Sequence, residues 1–473
     1  MKLAIIGAGS KVFTRKLLLD VFQAPALKGC EIALMNRSFG RLESLKKYLD
    51  EVTELAKIKF PISYTTDRIS ALEGADYVIS VFQTAGGVDA YRLDYETPLA
   101  YGVDQSIGQC VGPGGIFRGL RNAPVLTGLI RDMERCCPDA LLLNYVNPMA
   151  INLIVLSKTS NVRIVGLCHG VQTTLRLIAM YTGVSAKEID FTCAGINHMT
   201  WYLKLEHKGK DLYPVLKERF EQPEYYTNER VRGEVLRHFG YFMTESSGHL
   251  SEYLPWFRKN KETLAKYCAC KGFSGESGAA FRNQVATAEL LKKGDPLALM
   301  PKEIPPRSYE YGSYIIEAME SGVPFDFSGN VINQGVIDNL PEGCCVEVPV
   351  TADGTGLHPH KIGKLPFSLA AMNNSNINVQ MLAAEAALNG DPQLVFEALA
   401  LDPLTASVLD LQQIRKLAHQ MLTEQSVYLP QFEGKKIYSV GEIRIPEGTV
   451  PAPAPLDPAV EVVMQIRELL AGS

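Results

Sequence analysis

The sequence shows no marked excess of charge: 47 Lys and Arg stand against 52 Asp and Glu, a formal net charge of −5. That balance offers no electrostatic footprint for nucleic acid or anionic lipid, so neither is expected as a partner. Long apolar runs are also missing. The most apolar stretch, ALLLNYVNPMAINLIVL, is interrupted by Asn144, Asn147, Pro148 and Asn152 and does not read as a membrane span. The apolar residues Leu3–Ile6 are too few for a signal-peptide core. No pair among the ten cysteines has C-x-x-C spacing, which argues against a zinc knuckle. Scattered through a long chain with no secretion signal, they read as reduced thiols of a cytoplasmic protein.

What is present is an α/β pattern. KLAIIG (2–7), EIALMN (31–36), DYVISVF (76–82), LLLNYVN (141–147) and RIVGLC (163–168) are continuous apolar runs of buried-strand length. Helical stretches separate them, such as 40–56 with Leu42, Leu45, Tyr48, Leu49 and Val52 on one side. The alternation predicts a Rossmann-like, doubly wound parallel sheet. At 473 residues the chain is too long for one core, so a second, α+β substrate domain is expected. HMTWYLKLEH (198–207) alternates like a half-exposed strand, 330–350 reads as strands and turns, and 367–424 is helical with breaks at GD and DPLT. The expected divisions are 1–196 for dinucleotide binding, 197–429 for substrate and metal, and 430–473 for a proline-rich linker and terminal helix. The apolar helices of 367–424 suggest subunit contacts, in a homodimer or homotetramer.

The turn IIGAGSKVF ends the first strand and opens a helix. Gly7 and Gly9 supply two glycines of the dinucleotide fingerprint, followed by Ser10; Val12 replaces the third glycine. The second strand ends at Asn36 and Arg37, where an NAD-binding domain usually has an acidic residue. Arg37 is suited to a 2′-phosphate, so NADP stays open beside NAD.

GLCHGVQTT (166–174) puts Cys168 at the carboxyl end of a strand and at the start of a helix, with Val171, Leu175 and Ile178 on one face and Gly183 as its terminator. A helix N-terminus favours the thiolate. Asn197 and His198 open another strand about thirty residues later. One thiolate and one imidazole make half a metal shell. On residue types alone a buried thiol and a hydrogen-bonded histidine explain the same pattern.

The motifs GAGS (7–10), SIGQCVGPGGIFRGLR (106–121), NYVNPM (144–149), GLCHGV (166–171), GINHMTW (195–201) and NLPEGCCVEVPV (339–350) occur in the order seen in glycoside hydrolase family four. The chain resembles that family's NAD- and divalent-metal-dependent glycosidases up to about residue 425. The resemblance implies a malate/lactate dehydrogenase-like first domain and an exception to two-carboxylate glycoside hydrolysis. Oxidised nicotinamide takes hydride from carbon-3 of the sugar, a base removes the carbon-2 proton, the aglycone leaves, and water and hydride are added back. It also implies Cys168 and His198 as ligands of Mn²⁺ or another divalent metal, and His169 as an acid for the leaving group. Asn147, Asn197 and Gln109 fall at substrate-binding positions. Arg118 and Arg121 fall at clamp positions, and Gly112, Gly114 and Gly115 where backbone approaches the ligand. For the carbon-2 base the matching region is 244–257, where Ser247 aligns with the Asp of some relatives. Tyr253 comes first there, then His249 and Glu245.

CHGV resembles the branch acting on unphosphorylated α-glycosides. RSYEYGSYIIEAMESG (307–322) and HLSEYLPWF (249–257) look most like its α-galactosidases. An exo-acting α-galactosidase is therefore expected, with α-glucosidase second and a uronidase third. Gly170 departs from the Ser or Glu common at its position. A uronide would need a cation such as Arg118, Arg121, Arg282 or Arg307. Outside the glycosidases, the alternatives are an NAD(P)-dependent dehydrogenase or a non-catalytic cofactor sensor.

Overall fold

The apolar runs of the first third form parallel strands: β1 (Lys2–Ile6), β2 (Glu31–Met35), β3 (Ile62–Thr65), β4 (Tyr77–Ser80), β5 (Leu141–Asn144) and β6 (Arg163–Leu167). In the computed structural model, which describes residues 1–83 and 85–471, they lie in the order β3-β2-β1-β4-β5-β6. This is the dinucleotide-binding order, with its switch point between β1 and β4. β3 has no counterpart among the expected strands. It is an edge strand whose residues are exposed or half-buried, so no apolar run announces it.

Six further strands complete the sheet: β7 (Asp190–Ile196), β8 (Met199–His207), β9 (Lys210–Asp211), β10 (Phe325–Ile332), β11 (Cys345–Asp353) and β12 (Gly356–Pro359). β10 lies antiparallel on β6, and the sheet continues β10-β11-β7-β8-β9, with β12 on β11. Residues 1–437 form one compact unit. Within it, β7 and β8 turn at Asn197–His198, so the 196/197 boundary falls at a hairpin inside one sheet.

β8 corrects an expectation. Met199–Tyr202 are buried without alternation, and in the second half Leu205 alone is buried. Both faces of the first half are covered. Trp201 donates its indole N–H to Asn373 Oδ1 (3.1 Å), and the Tyr202 hydroxyl donates to the Val171 carbonyl (2.6 Å).

The helix Phe39–Ala56 buries Leu42, Leu45, Tyr48, Leu49 and Val52, the stripe its periodicity specifies. In the last part of the unit, helices Phe367–Asn389, Pro392–Leu401, Pro403–Val408 and Leu411–Glu424 are separated at GD and DPLT. Asp391, Asp402 and Asp410 cap three of them. Their apolar faces pack against helices Gly112–Cys136 and Met149–Thr159 of the same chain. The apolarity read as a subunit contact is thus largely used inside the unit. From residue 438 onward the chain has no regular structure until helix Pro458–Ala471, whose described residues are all exposed. No helix among the described residues is long and apolar enough to cross a membrane.

Arg121 is not a clamp at a ligand. Its side chain is 1% exposed and grips Asp94 through two parallel bonds of 2.5 and 2.8 Å, with Gln425 as a further acceptor. The pair ties helix Gly112–Cys136 to helix Gly87–Ala100. Removing one partner from a buried pair strands the other charge. Asp94→Leu is expected to lower the unfolding free energy by about 3–5 kcal/mol, and Asp94→Leu/Arg121→Met to recover most of the loss; denaturant midpoints read both. Equal instability of single and double variants would refute this account.

Candidate functional site

Three donor groups converge at the carboxyl end of the parallel sheet. Cys168 follows β6 directly, and Gly170, opening helix Gly170–Thr182, donates its N–H to Cys168 Sγ at 3.4 Å. His198 is at the tip of the β7–β8 hairpin, in the left-handed conformation (φ 65) required by so tight a turn. Glu245 arrives by another route. Trp201 pairs with Met243, and Thr244 donates its N–H to the Thr200 carbonyl (2.8 Å). The next residue, Glu245, is thereby brought beside the hairpin tip, just before Ser246 caps helix Ser247–Tyr253.

The Cys168 thiol, the His198 imidazole and the Glu245 carboxylate each place a donor atom within 4.8 Å of the others. Glu245 Oε1 is 3.5 Å from Cys168 Sγ and 3.8 Å from His198 Nε2. Its Oε2 lies 3.6 Å from His249 Nδ1, which also meets Ser246 Oγ at 3.0 Å. The His198 and His249 rings meet edge to face, 4.6 Å between centroids. The buried His198 Nδ1 has no protein hydrogen-bond partner. The thiol, the imidazole and the carboxylate make a mixed set of soft and hard donors that fits a borderline divalent cation.

The charge states follow from burial. Burial lowers His198 to about 3, so its imidazole is neutral and ready to ligate. Burial pushes the Cys168 thiol well above its ordinary range, helped by the charges of Glu245 and Glu347; the Gly170 N–H and the nearby Asn197 amide oppose this only weakly. The expected thiolate at the helix N-terminus is corrected accordingly: without a cation, desolvation outweighs the helix. Burial also works against ionised Glu245, but as the pH falls the His198 imidazole is protonated before the carboxyl (about 3 against about 2). This charge, with smaller contributions from His249, His169 and the thiol hydrogen bond, holds the carboxyl low.

Behind the hairpin lies Glu347, 1% exposed on β11. It accepts hydrogen bonds from Thr200 Oγ1 (2.7 Å) and Asn330 Nδ2 (3.4 Å), and the Asn197 amide lies close to it. Burial raises its carboxyl to about 8, with Glu245 adding to the rise. It escaped the sequence reading although its signal was visible: one acid inside the apolar run CCVEVPV. Glu245, placed in sequence only as a reserve base, shows a weaker signal, four residues before His249.

The remaining candidates are distributed around this centre. His169 is exposed at the start of the helix and caps nothing with its side chain. Asn147 is half-buried just beyond β5, and its carbonyl accepts Arg118 Nε (3.0 Å) and Asn122 Nδ2 (2.9 Å). Arg118 thus holds the Asn147 backbone. Gln109 is half-buried beside the Tyr91 hydroxyl, in a loop held by Glu252, which accepts the N–H groups of Ile107 (2.5 Å) and Gly108 (3.0 Å). Methyl groups on Gly114 or Gly115 would strike the Gly108 and Cys110 backbones at 2.4 Å. Close packing of the loop on its own helix, rather than approach to a ligand, accounts for these glycines. Tyr253 is buried, and burial with the charges of Cys110, Glu252 and Glu245 pushes its hydroxyl well above 10. Ser247 donates to Glu229 Oε2 at 2.8 Å.

At the other end of the crevice, Gly7 (φ 92) turns β1 into the first helix, and Gly9 lies against the Asn36 amide. Ser10 Oγ accepts the Phe13 N–H (3.2 Å), Asn36 Oδ1 accepts that of Ser38 (2.9 Å), and Arg37 is exposed. A glycine turn at the β1/β4 switch point suits a pyrophosphate.

Residues 2–184 match the family 4 glycosyl hydrolase model, and residues 193–405 match the model of that family's C-terminal domain. The chain belongs to glycosyl hydrolase family 4. Among family 4 relatives, an α-galactosidase of Rhizobium meliloti is 38% identical over 439 residues, covering 91% of this chain and 89% of its own. An α-galactosidase of Bacillus subtilis is 37% identical, covering 91% and 100%. The solved structure of the Bacillus subtilis protein lplD aligns with a TM-score of 0.78 at 27% identity, over 89% of this chain and 99% of its own. A 6-phospho-β-glucosidase of Thermotoga maritima, solved with manganese, NAD⁺ and glucose-6-phosphate, shares the fold with a TM-score of 0.75 at 21% identity, over 90% and 99%.

Were Cys168 and His198 to hold a cation, its binding would displace the thiol proton, while His198 is already neutral. Mn²⁺ affinity is expected to rise about tenfold per pH unit between pH 6 and 8, with near one proton released. Calorimetry in two buffers of different ionisation heat measures the release. Cys168→Ser should abolish it, and a pH-independent affinity would contradict the assignment.

Proposed function

We propose that this family 4 enzyme is an exo-acting α-galactosidase that uses NAD and a divalent cation, Mn²⁺ by preference. The observation that carries the reading is the meeting of Cys168 and His198 at the carboxyl end of a sheet in dinucleotide-binding order. The α-galactosidases at 37–38% identity support galactose as the sugar; an α-glucosidase of Erwinia rhapontici and an α-galacturonidase of Thermoanaerobacter italicus stand lower, at 27% and 29%. The proposed division of labour puts the dinucleotide on residues 1–196 and substrate and metal on 197–429.

When bound, the nicotinamide reversibly accepts hydride and the cation polarises sugar hydroxyls. Gly7, Gly9 and Ser10 cradle the pyrophosphate, while Asn36 and Arg37 face the adenosine ribose. With no carboxylate there, discrimination against NADP is weak. Cys168 and His198 hold the cation. Asn147, Asn197 and Gln109 orient sugar hydroxyls by hydrogen bonding, and Arg118 keeps Asn147 in place from behind. His169, exposed at the rim, protonates the departing aglycone oxygen.

For the carbon-2 proton, His249 is preferred to Tyr253. In the protein alone, burial and then the charges of Cys110, Glu252, Glu245 and Cys168 all raise the pKa of the Tyr253 hydroxyl. Burial favours neutral His249, and a tautomer that donates Nδ1–H toward Ser246 and Glu245 leaves Nε2 as the proton acceptor. In D₂O, His249→Asn should lose deuterium incorporation at carbon-2 of the product, whereas Tyr253→Phe should retain it. The reverse pattern would return the role to Tyr253.

Aryl α-galactoside hydrolysis under reducing conditions should need both NAD and Mn²⁺, proceed without net NADH, and exceed hydrolysis of the α-glucoside. NADP should substitute measurably in the same assay. Accumulation of NADH in proportion to product would identify a dehydrogenase instead. Cofactor binding without turnover of any glycoside would identify a sensor.

A further inference from the structure

Glu245 is the charged group at this centre to which no task has been given. Its backbone lies in the left-handed region (φ 68), where a residue with a Cβ persists only if its surroundings hold it. They do so from both sides: Thr244 is bonded to Thr200, and Ser246 caps the following helix. The carboxylate is aimed at Cys168, His198 and His249 at 3.5, 3.8 and 3.6 Å. None of these contacts has the length of a charge-assisted hydrogen bond, about 2.7–2.9 Å. The first two are near the spacing of donor atoms that share a first-row cation, whose bonds run about 2.0–2.4 Å.

Gly170 supplies an independent observation. Its backbone is helical and open to any residue, so conformation does not demand glycine there. Space does. A Cβ on Gly170 would lie 2.3 Å from Glu245 Oε1 and 3.0 Å from its Cδ. The carboxylate occupies the volume that a side chain at 170 would fill, and the next residue back but one is Cys168.

We propose that Glu245 is a third protein ligand of the cation, beside Cys168 and His198, and that Gly170 is the space that seats it. The inference rests on the metal reading given above and deepens it. A thiolate and a carboxylate together balance a divalent charge, while the imidazole adds a neutral donor. Three protein donors retain the cation before any sugar arrives, and the positions left over suit the substrate's hydroxyls. Glu245 Oε2, facing His249, links the cation's shell to the proposed base.

The test is Mn²⁺ binding to the full-length, reduced protein with NAD but without sugar, followed by the electron paramagnetic resonance of free Mn²⁺. Glu245→Gln and Gly170→Ala should each weaken binding about tenfold or more. The double variant should bind no more weakly than the poorer single variant, because both changes remove one interaction. NAD affinity and melting temperature should not move. Wild-type affinity in Glu245→Gln would overturn the ligand role, and full additivity in the double variant would overturn the role of Gly170. Glu245→Gln, nearly isosteric, decides alone if Gly170→Ala does not fold. Cys168→Ser separates the levels: if it binds like wild type, the metal centre itself is misplaced. If only Cys168→Ser loses Mn²⁺, Glu245 alone is excluded.

Discussion

The short backbone pairing of Thr200–Trp201 with Met243–Thr244 is the contact on which the centre depends. It joins a hairpin tip to a helix start that lies more than forty residues away in sequence. Without it, His198 and Glu245 would belong to separate parts of the molecule. The pairing is in turn secured from beneath, since Thr200 also bonds Glu347 and Trp201 bonds Asn373. Polar groups in a buried layer are costly unless satisfied, and here satisfying them fixes the position of the donors.

Much of the scaffold was legible because burial on two faces leaves a mark in composition. Five parallel strands are continuous apolar runs, and the helix breaks at Gly390–Asp391 and Asp402–Pro403 are written in turn and cap residues. β3 lacked such a mark because an edge strand need not be apolar. The first half of β8 misled for the opposite reason: Thr200 reads as a solvent-facing position, yet its hydroxyl is spent on a buried carboxyl. Cys168 and His198 stood out as reactive types at strand ends. Glu245 did not, because its importance depends on a pairing that spacing cannot reveal. Arg121 shows a limit of motif reading, where a cation inside a functional stretch serves a helix pair instead.

The centre also shows how burial sets charge in opposite senses within a few ångströms. Desolvation keeps His198 neutral and the Cys168 thiol protonated, and it pushes Glu347 up to about 8. Glu245 departs from this trend because, as the pH falls, the His198 imidazole takes its proton before the carboxyl does and its charge then opposes protonation of Glu245. A bound cation would add the positive charge that the surrounding anions and apolar walls otherwise lack.

One consequence concerns motion. β10 lies on β6 and carries the sheet from the dinucleotide half into the other half, with Asn330 bonding both the Gly166 carbonyl and Glu347. Two-domain enzymes commonly admit ligands by swinging about a linker. Here the two halves share one sheet, joined through two residue pairs between β6 and β10, and these pairings resist such a swing. On this scaffold, segments at the rim such as the one bearing exposed His169 have more freedom to move for the entry and exit of a sugar than the buried strands beneath them.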